Sequence, residues 1–235
     1  MSALLFEDLV ERLESNEAGR RLTITPILDR QRQIGPGSVD LRLGTEFLEV
    51  VRQSNRSIDP VHPTPTAAAI ADRRLYVPLG DEFVLHPGQF VLGSTLEFFV
   101  IPDDVFGQVL SRSSWGRLGL LVATAVAVQP GFRGVLTLEL VNAGSVPIVL
   151  RPGLRVAQLQ LWAADHPTGL PYRTHGKYRA PLGPESNHLE TEDPELASLR
   201  AIADSLHARR QPTSQYTSVP NQSENATLAN DGNGR

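Results

Sequence analysis

Apolar and polar residues alternate strictly after Pro36-Gly37, with Val39, Leu41 and Leu43 on one face and Asp40 and Arg42 on the other. A period of two predicts a half-buried strand. A second short strand is expected over Glu46 to Val51, then a polar, proline-containing surface insertion at 52–74 with an alanine cluster at Ala67 to Ala69. From Leu75 to Trp162, short apolar or alternating runs are punctuated by turn signals at His86-Pro87-Gly88, Pro102-Asp103-Asp104, Pro130-Gly131, Asn142-Ala143-Gly144 and Arg151-Pro152-Gly153. Strands so closely spaced predict a sandwich or barrel. No run between them has the length and period of the crossover helices that a parallel sheet requires. The expected fold is mainly β, a distorted jelly-roll-like β-barrel with short helical decorations.

The flanks follow other periods. Leu5, Leu9, Val10 and Leu13 recur at helical spacing, with Ser2 placed to cap them, so 1–33 reads as an N-terminal helical segment. The barrel domain is expected over 34–184 and a polar tail over 185–235. Within the tail, Leu196, Leu199, Ile202 and Leu206 predict one short helix at 195–209. Beyond Gln211 the Ser, Thr, Asn, Gln and Gly content is too polar to form a core, and disorder is expected.

Composition narrows the chemistry. The chain has 235 residues, 40% of them apolar, which suffices for one domain with a real core. Its net charge of -4 comes from the tail, where eight acidic residues outnumber four arginines, and the body is formally neutral. Duplex nucleic acid calls for a strongly positive face, so no nucleic-acid partner is expected. The absence of cysteine excludes disulfides, thiolate nucleophiles and cysteine-ligated zinc, including the zinc site of nucleobase deaminases that use H-x-E and P-C-x-x-C. The six histidines are scattered without metal-binding spacing. The N-terminus is acidic and lacks a long apolar run, so the expectation is a cytoplasmic protein without a membrane span.

The candidate chemistry is concentrated in two places. The run Ser111-Arg112-Ser113-Ser114-Trp115-Gly116-Arg117 offers guanidinium forks, hydroxyls and accessible backbone N–H groups, all suited to phosphate. The plainer reading is a capped helix start, and the two are compatible because such a start also favours anions. Glu139 lies in Val135-Leu136-Thr137-Leu138-Glu139-Leu140-Val141, sharing a face with Val135, Thr137 and Val141. On a wet face it is an ordinary surface residue. On a partly desolvated face its pKa rises and it becomes a proton shuttle. The turn Gln129-Pro130-Gly131-Phe132-Arg133-Gly134 is either a hairpin connection alone or one that also touches a sugar or base.

Taken together, these residues resemble the dCTP deaminase branch of the dUTPase-like superfamily. Gly37 to Gly44 is similar to that family's first barrel strand, His86 to Glu97 to its middle strand pair, Arg112 to Leu120 to its phosphate motif, and Pro130 to Glu139 to its base-reading hairpin. Arg151-Pro152-Gly153 with Gln158-Leu159 is similar to the closing strands. The resemblance implies a barrel of the dUTPase type, a homotrimer with nucleotide sites at subunit interfaces, and hydrolytic deamination of dCTP to dUTP without zinc. It implies that Glu139 takes a proton from water and delivers it to the cytosine ring. Ser113, with a backbone carbonyl near Ala125, would orient that water, and Arg117 would hold charge in the site. Arg112 and Ser114 would bind the triphosphate with its magnesium. The implied nucleotide contacts also include Trp115, Gly116, Gln129, Thr137 and Leu138, with Tyr172 and Lys177 closing over base and phosphates.

The chain departs from the family pattern in three places. Val128-Gln129-Pro130-Gly131 stands where Ile-Asp-Pro-Gly is usual, which replaces the acidic residue expected to contact the deoxyribose hydroxyl. The stretch from Leu121 to Gln129 is one residue shorter than usual and lacks a histidine often found there. Pro181 follows Lys177-Tyr178 where a glutamine is expected. Two alternatives stay open beside deamination: a non-catalytic nucleotide-sensing trimer, and a dUTPase or bifunctional deaminase and dUTPase.

Overall fold

The computed structural model describes residues 1–50, 61, 72–123, 127–178, 180–186 and 194–210. They fall into two compact units, Met1–Asp193 and Pro194–Arg235. Most of the expected 52–74 insertion, its alanine cluster and the chain beyond Gln211 lie outside the described residues.

The first unit is a curled antiparallel sheet. Its strands are β1 (Ser2–Ala3), β2 (Thr23–Thr25), β3 (Val39–Val50), β4 (Asp72–Tyr76), β5 (Phe83–Leu85), β6 (Phe90–Val100), β7 (Val105–Ser111), β8 (Leu120–Val122), β9 (Ala127–Val128), β10 (Arg133–Asn142), β11 (Ile148–Leu150) and β12 (Arg155–Ala163). The main hydrogen-bonded path runs β8-β10-β6-β3-β12-β7-β9, with β1 on β12, β2 on β6 and β4 on β3. Strands β5 and β11 form a separate pair. The mainly β, curled antiparallel architecture expected from the sequence is therefore the one observed.

Period-two patterning places the core. Val39, Leu41, Leu43 and Phe47 of β3 face inward, as do Leu136, Leu138 and Leu140 of β10, all of them buried. Phe47 stacks on Phe83 with ring centroids 4.8 Å apart. The two strands expected at Val39 to Leu43 and Glu46 to Val51 are one strand, β3. It continues through Gly44, where the register against β6 shifts between Leu43 and Phe47. A side chain at Gly44 would sit 2.5 Å from Ser94 Oγ and 2.9 Å from the Thr95 carbonyl, so only glycine lets β6 pass there. Residues at the end of the expected insertion form β4, which pairs with Glu46 to Val50.

The N-terminal segment is mixed, not purely helical. Ser2 does not cap a helix, because β1 pairs it with Ala163. Helix α1 (Phe6–Glu14) starts instead after Leu5, whose N–H donates to Asp8 Oδ2 at 3.0 Å. It buries Leu9 and Arg12, and Arg12 forks onto Asp104 with Nη2 2.7 Å from Oδ2 and Nη1 3.2 Å from Oδ1. A four-residue turn of helix, α2 (Arg30–Gln33), carries Gln33 into the core. There its Nε2 donates to Glu97 Oε1 at 2.8 Å, and the Arg42 N–H donates to Glu97 Oε2 at 3.0 Å. Burial pushes the Glu97 carboxyl up to about 7 despite these donors.

Two further short helices, α3 (Ser113–Gly116) and α4 (Tyr172–His175), decorate the barrel. In the second unit, helix α5 (Pro194–Arg210) leaves Leu199, Ile202 and Leu206 exposed.

Candidate active site

Strand β10 exposes one face to the core and the other to a cavity of 380 Å³, a size typical of small-molecule sites. Thr137 and Glu139 face the cavity, while Leu138 between them points into the core with no exposure. Leu138 can therefore contribute only backbone to a ligand. The cavity is lined by Phe90 and Leu92 from β6, by Val128 of β9 with Gln129, and by Phe132 from the turn. Strands β8 and β9 end the hydrogen-bonded path, yet Val128 of β9 and Glu139 of β10 line one space. The cavity thus occupies the seam where the curled sheet meets itself.

Glu139 is half-buried, and burial raises its carboxyl above the usual range. The cause is the apolar wall around it, so the less hydrated of the two readings of this strand is the one realised. The backbone carbonyl of Glu139 accepts from the Ala123 N–H at 2.8 Å, which fixes the strand beside β8.

The remaining wall comes from the C-terminal part of the unit. Tyr172, Tyr178, Pro181, Glu185 and Ser186 all line the cavity. The Val135 N–H donates to the Pro181 carbonyl at 2.9 Å, and the Glu185 N–H donates to Thr137 Oγ1 at 3.3 Å. Tyr172 packs its ring against Phe132 at 5.8 Å, and its hydroxyl accepts from the Tyr178 N–H at 3.1 Å. A second hollow of 480 Å³ adjoins this wall, sharing Gln129, Tyr172 and Tyr178 and adding His175 and Lys177.

The phosphate-like motif lies elsewhere on the chain. Arg112 precedes α3, its Nη1 donating to the Arg155 carbonyl at 2.9 Å and its Nε 3.4 Å from Asp40 Oδ1. Trp115 Nε1 donates to the same carbonyl at 2.8 Å, and Asp40 also pairs with Arg155 Nη1 at 2.9 Å. Ser113, Ser114 and Arg117 are exposed, and Gly116 is half-buried. None of the residues from Arg112 to Arg117 lines the Glu139 cavity. Within one chain, the structure brings Gln129, Thr137, Glu139 and Tyr172 together, sets Lys177 beside them and leaves α3 apart. Ala125 lies outside the described residues. Sequence reasoning missed Phe132, Tyr178, Pro181 and Glu185 as walls, and only the aromatic residues beside Pro130-Gly131 and Lys177 gave a signal.

Fold and site together define an antiparallel barrel of the dUTPase type, with a ligand-sized cavity and a desolvated carboxyl at its seam. Residues 8–164 match the family described as dCTP deaminase-like, and the chain belongs to that family. It is 41% identical to the dCTP deaminase of Halorubrum lacusprofundi over 81% of this chain and 92% of the relative. It is 42% identical to a protein of Dictyoglomus thermophilum named dCTP deaminase, dUMP-forming, over 73% of this chain and 89% of the relative. The crystal structure of the Agrobacterium tumefaciens 2'-deoxycytidine 5'-triphosphate deaminase has the same fold, with a TM-score of 0.52 at 24% identity. That match covers 69% of this chain and 48% of the other.

Proposed function

We propose that the protein hydrolyses the exocyclic amine of dCTP, converting dCTP and water to dUTP and ammonia. The observation that carries this reading is Glu139, a carboxyl with a raised pKa in an apolar cavity large enough for a pyrimidine. Its carboxylate takes a proton from water as hydroxide adds to C4, and passes that proton to the ring nitrogen. The carboxylate then takes the proton of the new C4 hydroxyl and hands it to the amine, so that the C4–N bond breaks as C4=O forms and ammonia leaves. Apolar walls hold the planar base, and the hollow beside Lys177 and His175 suits the phosphates, with magnesium arriving on the triphosphate as part of the substrate.

The site is completed by a second copy of the chain in a homotrimer, which supplies Ser113 to orient the water and Arg117 to balance charge. The separation of α3 from the cavity supports that division. No helix among the described residues is long and apolar enough to cross a membrane, and the proposed place of action is the cytoplasm.

Relatives of nearly equal identity carry names for two outcomes, dCTP deaminase and a dUMP-forming form. Incubation with dCTP and magnesium followed by chromatography separates them. dUTP is the expected product, whereas dUMP with pyrophosphate would assign the bifunctional reaction. No turnover by the native protein would refute both. Glu139→Gln is expected to lower kcat by about 10² to 10⁴, the usual worth of a positioned acid-base group.

A further inference from the structure

The ion pair between Asp103 and Arg173 has no part in the chemistry proposed above, yet it lies at the hinge of the cavity wall. Arg173 forks onto Asp103, Nη1 to Oδ1 and Nη2 to Oδ2, the latter at 2.8 Å. It belongs to α4, whose first residue is Tyr172. The same turn of chain is fastened by the Tyr172 N–H, which donates to the Pro130 carbonyl at 2.8 Å.

Asp103 stands on a rigid post. Its neighbour Asp104 is held by Arg12, and the Asp104 carbonyl accepts from the Ala164 N–H at 2.7 Å. The Asp103 carbonyl accepts from the Thr168 N–H at 2.9 Å. Arg133 adds a second positive charge near the Asp103 carboxylate. Bidentate guanidinium–carboxylate pairing fixes direction as well as distance, which a single contact does not.

The Pro130-Gly131 turn is shaped around this pair. A side chain at Gly131, where φ is +79°, would lie 3.0 Å from both Arg173 Nη1 and Asp103 Oδ1 and 2.8 Å from Pro171 Cβ. The pair therefore crosses directly over the turn that carries Gln129 and Phe132.

We infer that Asp103 and Arg173 form a latch that positions Tyr172 and Tyr178 as the aromatic wall of the Glu139 cavity. The latch acts on nucleotide affinity and leaves the chemical step alone, because neither side chain lines the cavity. Both are positioning residues. The effect on dCTP rests on the deaminase reading, while the effect on the wall does not.

The test compares Arg173→Gln, Asp103→Asn and Arg173→Lys with the native protein in steady-state dCTP deamination and in amide hydrogen exchange without nucleotide. For the first two variants, KM is expected to rise about tenfold with kcat within about twofold. Exchange at the Tyr172 and Tyr178 amides is expected to quicken while the β10 amides stay protected. Arg173→Lys, which keeps the charge but loses the fork, should recover part of both effects. Unchanged exchange at Tyr172 and Tyr178 would overturn the latch whatever the enzyme does. Quickened exchange with unchanged KM would overturn its role in affinity, as would a fall in kcat alone. A native protein inert toward dCTP would refute the deaminase reading, and the exchange data would still decide the latch.

Discussion

Among the described residues, two glutamates have carboxyls raised by burial, and their surroundings assign them different work. Glu139 opens onto a cavity and can exchange its proton with a ligand. Glu97 has no exposure and is closed in by Gln33 and Arg42. Its proton can be exchanged only through the fold, so its titration is a stability effect. The folded-state value near 7 lies above the ordinary glutamate value of 4.5, so between these pH values the folded chain holds a proton that the unfolded chain releases. Stability from this group is thus greatest below pH 4.5 and declines as pH rises toward 7, by roughly 3 kcal/mol at 1.36 kcal/mol per pKa unit. Glu97→Gln is expected to flatten this part of the pH dependence of denaturant midpoints. A variant with the same slope as the native protein would assign the effect to other groups.

At the scale of elements, the wall of the cavity rests on a few specific bonds. Tyr172→Phe keeps the ring against Phe132 but removes the oxygen that accepts from the Tyr178 N–H. The expected loss is about 1 kcal/mol of local stability, the net worth of one such bond, visible as faster exchange at the Tyr178 amide with little change in melting temperature. Retained protection there would mean that the hydroxyl is not what holds Tyr178. The same segment shows where the sequence was legible. Glu139 could be placed because Leu136, Leu138 and Leu140 define the buried face of β10 and leave the alternate residues opposite. Tyr178, Pro181 and Glu185 could not, because their segment has no period and is placed by bonds to Val135 and Thr137, distant in sequence, and to the Tyr172 hydroxyl. That β3 is one strand and not the expected two has a related reason. Gly44 reads locally as a break, and only the close passage of Ser94 and Thr95 shows why a glycine continues the strand there. Thr23–Thr25 is too short to announce itself, and it is a strand because β6 offers it an edge.

At the scale of the whole molecule, the separation of α3 from the Glu139 cavity can be tested through the proposed trimer. Ser113→Ala and Glu139→Gln are each expected to be nearly inactive alone. If each site takes Glu139 from one subunit and Ser113 from its neighbour, random co-assembly in equal amounts leaves about a quarter of the sites intact. Co-refolded mixtures should then recover about a quarter of native activity. Recovery of none would place both residues of a working site in the same chain.

Strand pairing holds the barrel through backbone groups, and the side chains that face the seam take no part in it. Side chains facing the seam, such as Gln129, Thr137 and Glu139, can be exchanged without unzipping a ladder. The barrel therefore tolerates drift in its chemistry more readily than in its shape.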